Sequence, residues 1–72
     1  MSDHISSGAV KVIELVGIST KSFDDAIQQA VTKASESIKG ITGIDVQNMS
    51  AKVKDGKLSG YTVNMKVAFA VK

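Results

Sequence analysis

Side chains suited to catalysis or metal binding are sparse in this chain. It has no cysteine and a single histidine, His4. Thiolate zinc sites, disulfides and cysteine nucleophiles are therefore excluded. His4 stands in a polar leader and cannot form a histidine metal cluster by itself. Ser22 and Ser50 have no histidine base inside the segment that patterns as folded, so no serine is activated as a nucleophile. The acids Glu14, Asp24, Asp25, Asp45 and Asp55 are scattered. Their spacing places no two together for acid–base work, and no loop has EF-hand spacing. The expectation is a protein that is not an enzyme.

The remaining polar residues each carry two readings. Asp24 and Asp25 offer oxygens to a cation, or they favour a helix start by charge. Asp45 faces a ligand pocket, or it is a solvated or interface-paired carboxylate. Tyr61 presents its ring or hydroxyl to a ligand, or it shares the core with Val63, Met65, Val67 and Phe69. Thr62, Asn64 and Lys66 have the opposite parity and form a polar face, exposed, between subunits or holding anions or waters. Met49 and Met65 read as packing residues. All nine basic residues are lysines, spread from Lys11 to Lys72, and the net charge is only +2. Bidentate phosphate and base contacts favour arginine, so no nucleic-acid partner is expected.

Four elements must position these groups. Ala9 to Ile18 is a β-branched strand with Val10, Val12, Val16 and Ile18 on one face, interrupted by Glu14, and Ala9, Lys11, Ile13 and Leu15 on the other. A strand apolar on both faces is expected to be covered on both. Gly17 to Lys21 reads as a turn. Ser22 then caps a helix in a reciprocal box with Asp25, and Asp24 and Asp25 complement its dipole. Phe23, Ala26, Ile27, Ala30, Val31, Ala34 and Ile38 form one apolar stripe, which Gly40 is expected to end in a left-handed conformation.

Ile44 to Lys54 is a strand whose apolar parity changes between Val46 and Met49, which predicts a bulge near Gln47-Asn48. Asp55-Gly56 predicts a tight primed hairpin turn. Lys57 to Val71 then alternates cleanly, and Gly60 suggests a bend or close approach. The order is β-α-β-β, an α+β unit. A right-handed crossover lays the third strand antiparallel between the first two, as a three-stranded antiparallel sheet on one helix. Residues 1–8 read as a flexible leader and 9–72 as a single domain. The leader lacks a signal-peptide pattern, and no stretch reaches the roughly 20 apolar residues of a membrane span. A cytoplasmic location without membrane contact is the default.

A chain of 72 residues buries only about 60% of its unfolded surface. With one helix covering one sheet face, the other face is expected to meet a copy of the chain in a closed homo-oligomer.

The ordered set Val10 to Gly17, Ser19 to Ile27, Asp55-Gly56-Lys57, Tyr61 and Lys66-Val67-Ala68-Phe69 resembles the dodecin family over nearly the whole chain after the leader. The resemblance implies a hollow, roughly spherical homododecamer built from trimers. Such proteins bind and store flavins (riboflavin, FMN or FAD) without turning them over. It further implies ligand contacts near Gly43, Asp45, Tyr61 and Thr62. Gly43 holds the position of a flavin-stacking tryptophan, and Thr62, beside Tyr61, that of a glutamine that hydrogen-bonds the ring edge. This chain contains no tryptophan, so the stacking surface, worth roughly 1–3 kcal/mol per ring, is missing. A flavin-free branch associated with calcium is also similar, through the Gln47-Asn48-Met49 neighbourhood. It implies a shell that binds a divalent cation or serves a structural role only.

Overall fold

A computed structural model of the chain describes residues 8–71. His4 and most of the expected leader lie outside the described residues. The elements are β1 (Val10–Ser19), α1 (Phe23–Ser35), β2 (Ile41–Lys54) and β3 (Lys57–Ala70). The sheet order is β1-β3-β2, with β3 antiparallel to both neighbours. The predicted central position of the third strand is what the chain adopts.

Local chemistry sets the boundaries. Ser22 is extended, and its side chain accepts the Asp25 amide at 2.9 Å. The reciprocal half of the predicted box does not form. The Asp25 carboxylate instead accepts the Ser19 hydroxyl at 2.6 Å, and the Ser19 oxygen accepts the Lys21 amide at 2.9 Å. The end of β1 is thereby clasped to the start of α1. The helix ends at Ser35, short of the predicted stop at Gly40. Serines at 35 and 37 are poor helix formers, and the Ser37 and Ile38 amides both turn back to the Ala34 carbonyl. Gly40, with φ +77°, redirects the chain into β2, which begins at Ile41 rather than Ile44.

Asp55 (φ +54°) and Gly56 (φ +77°) both have positive φ, the signature of a two-residue primed turn, and Lys54 pairs with Lys57 across it. The predicted bulge is present. The β2–β3 register slips between Val46 and Asn48, leaving Gln47 as the extra residue. Ile44, Val46, Met49 and Ala51 therefore all lie on the helix side, opposite Val67, Met65, Val63 and Tyr61. A further slip beside Gly60, between Lys52 and Val53, fits the predicted bend.

Gly17 is a correction. It lies inside β1 and not in a turn. The helix crosses so close above it that an added Cβ would stand 2.1 Å from the Ala26 carbonyl oxygen and 3.2 Å from Ala30 Cβ. Buried Ala26, Ala30 and Ala34 give α1 the smooth face this approach needs. The helix lies over β1 and β3. Val63, Met65 and Val67 are almost fully buried beneath it, packed with Ile13, Leu15, Ile27, Ile41 and Val46. Burial of each such side chain contributes about 1.5–3 kcal/mol. Phe23 meets Tyr61 edge-on, centroids 5.0 Å apart at 78°.

The opposite face of the sheet has no covering layer among the described residues. Val10, Val12, Val16 and Ile18 project from it, 49–69% exposed.

Candidate functional site

Cross-strand register sorts the candidate residues by face. On the uncovered face the rows are Val12–Ala68–Gly43, Glu14–Lys66–Asp45, Val16–Asn64–Asn48 and Ile18–Thr62–Ser50. Gly43, Asp45 and Thr62 therefore share one surface. Tyr61 lies on the other, against Phe23, where it serves the core.

Gly43 is exposed, and nothing lies within 4 Å of an added Cβ. The position is open rather than filled by another group. Asp45 is exposed, and the Gln47 amide donates to its carboxylate at 3.0 Å. Lys66 stands between Glu14 and Asp45 in its row, a placement in which opposite charges across strands stabilise each other. Thr62 is half-buried between Ile18 and Ser50. Along β3, Thr62 is six positions from Ala68, the partner of Gly43. At about 3.3 Å per residue that is roughly 20 Å, too far for one ring system to touch both in a single subunit. A ligand using both positions must lie between subunits.

Where the face bends at the bulge, a concavity of 550 Å³ opens, lined by Glu14, Leu15, Val16, Gln47, Asn48, Asn64 and Met65. Within it, Asn64 Nδ2 donates to Asn48 Oδ1 at 2.5 Å. The sequence reading placed Asn64 on a polar face but did not pair it with Asn48. The signal was there. One extra residue at Gln47 moves Asn48 onto the face of Asn64. A second concavity, apolar and of 470 Å³, runs between β1 and α1 over Gly17 and Ala30, with Lys33 and Gln29 beside it.

The donor set was tested against the two expected ligands. A flavin sandwich requires an aromatic face, and the chain has no tryptophan while Gly43 bears no side chain; the sandwich does not fit. For calcium, no group of three or more His, Cys, Asp or Glu side chains converges among the described residues. Asp24 is exposed at the helix start, and Asp25 is engaged with Ser19. About six oxygen ligands would have to come from several subunits.

Comparison with known proteins places the chain. Residues 9–72 match the family model described as Dodecin. The chain belongs to the dodecin family. A dodecin from Streptomyces coelicolor is 28% identical, with a TM-score of 0.85 over 94% of this chain and 97% of the other. A dodecin from Streptomyces davaonensis is 26% identical, TM-score 0.82, over 89% and 94%. A calcium-chelating antigen of Mycobacterium tuberculosis, calcium dodecin, is 29% identical, TM-score 0.76, over 90% and 93%. No curated protein matches. The β-α-β-β unit with its three-stranded antiparallel sheet is thus shared with dodecin structures.

Proposed function

We infer that this chain is the subunit of a non-enzymatic, ligand-sequestering homododecamer, built from trimers into a hollow shell. One observation carries the reading. The apolar row Val10, Val12, Val16 and Ile18 stands uncovered in the subunit, on the same face as Gly43, Asp45 and Thr62. Covering that row with a second copy would enclose the candidate ligand positions between subunits. Membership of the dodecin family supports the same arrangement. A binding role rather than catalysis is supported by the absence of cysteine and the confinement of histidine to His4. No helix among the described residues is long and apolar enough to cross a membrane; the cytoplasm is the proposed location, with no membrane or nucleic-acid partner.

The ligand proposed first is of the flavin class, bound without the tryptophan stack. The second reading is a flavin-free shell that binds calcium or is structural only. It is supported by the likeness to calcium dodecin and by the bare Gly43. Lys66 between Glu14 and Asp45 weighs against a cation on that row, because its ammonium already offsets their charge. Titration of the purified protein with riboflavin and with calcium, read by flavin fluorescence and by Tm, separates the readings. A ligand that binds only the folded state raises stability by RT ln(1 + [L]/Kd). Quenched riboflavin fluorescence with no calcium response supports the first; a calcium-dependent rise in Tm alone supports the second.

A further inference from the structure

Between β1 and the second half of α1 lies a groove that the core leaves unfilled. Gly17 draws the helix close at Ala26 and has no side chain of its own to pack there. Beyond that contact the helix contributes the methyl groups of Ala30 and Ala34 to the seam. Glycine below and alanines above leave the 470 Å³ concavity open, a size within the roughly 300–1,000 Å³ of small-molecule sites. β1 is an edge strand, so among the described residues no further strand closes the outer side.

Every residue that lines the groove is apolar or glycine except Gln29 and Lys33. These two are exposed and stand four positions apart on α1, a spacing that sets side chains on one face of a helix. Lys33 is the only charged residue in the lining, and no carboxylate joins it. The ammonium offers three N–H donors and the amide two. An apolar trough with a few polar groups on one side is the arrangement that holds and orients a small ligand.

We propose that this groove binds a single-chain aliphatic carboxylate, its alkyl chain along Leu15, Ala30 and Ala34 and its head on Lys33 and Gln29. Two observations select this class. One ammonium matches one negative head, and charge-assisted hydrogen bonds are the strong ones. The lining has no aromatic residue on which a ring would stack, whereas a saturated chain needs only apolar area to bury. The groove lies on the helix side of the sheet, away from Gly43, Asp45 and Thr62, and is independent of the ligand proposed for that face.

The experiment titrates the full chain, its mass determined by light scattering, with sub-micellar hexanoate, octanoate and decanoate. Decanol and decyltrimethylammonium serve as neutral and cationic controls, and binding is followed by calorimetry and Tm. Affinity is expected to rise about fourfold with each added methylene. Decyltrimethylammonium is expected to bind about tenfold more weakly than decanoate. Lys33→Gln should weaken decanoate about tenfold and leave decanol unchanged, whereas Ala34→Leu, which fills the trough, should weaken both without changing the mass. No uptake of decanoate at millimolar concentration overturns the proposal, as does equal affinity for the anionic and cationic heads. Decanoate binding that neither substitution alters lies elsewhere on the protein and overturns it too. If Ala34→Leu fails to fold, the comparison of head groups still decides, because it uses the unaltered protein. A full-mass shell without uptake, its groove covered by a neighbouring copy, defeats this inference alone. A monomer that takes up decanoate supports it and defeats the shell.

Discussion

On the helix side of the sheet, Val63, Met65 and Val67 are almost fully buried, whereas on the other side Val10, Val12, Val16 and Ile18 keep about half or more of their surface exposed. Both rows are apolar, the outer one interrupted by Glu14. They differ in what the chain itself supplies. One helix lies close over β1 and β3 because Gly17 and the helix alanines let it approach. Among the described residues no second layer covers the other side. The difference separates two kinds of stability: packing within the subunit on one face and, in the proposed shell, association with copies on the other.

The largest effect should come from the uncovered face. Val16→Asp combined with Ile18→Asp puts two charges into the apolar row, and burying an unpaired charge is strongly unfavourable. Loss of the full-mass species in size-exclusion chromatography is the expected outcome. An unchanged elution volume would mean that this row is not the contact.

On the covered face, Gly17→Ala should destabilise the fold by about 3 kcal/mol, because overpacking against backbone cannot relax cheaply. Denaturant unfolding measures it, and a change below about 0.5 kcal/mol would show that α1 can move away from β1. A double change, Gly43→Trp with Thr62→Gln, restores the two flavin contacts implied by the family. Nothing lies within 4 Å of a Cβ added at Gly43, and flavin binding should tighten by roughly 1–3 kcal/mol. Unaltered fluorescence quenching would mean that the pocket differs beyond these two positions. The smallest effect is local to the helix start: Ser22→Ala removes the cap of α1 and should cost about 1 kcal/mol, read as a lower Tm with assembly retained.

Much of the fold was legible because its signals are local. Asp55-Gly56 specifies its turn by two positive φ angles, Ser22 specifies the helix start, and the parity change from Val46 to Met49 specifies the bulge. Gly17 was misread because a glycine after a strand has the same local pattern whether it turns the chain or admits a helix above it. Asp25 was paired with Ser22 for a similar reason: its true partner, Ser19, is brought near only when β1 meets α1. Of the candidate site, the shared face of Gly43, Asp45 and Thr62 follows from strand parity and register. Tyr61 falls on the core side, as its alternation with Val63 and Met65 indicated. The amide pair needed the bulge and the strand pairing together, so neither asparagine was singled out by its neighbours.

Assembly is the central claim, and static light scattering on the untagged, size-excluded protein tests it most directly. Twelve chains of 7.5 kDa predict about 90 kDa for the closed shell. A particle of that mass, unchanged on dilution, is the expected result. A monomer would contradict the account, because the apolar row of β1 would then stand exposed to water with no copy of the chain to cover it.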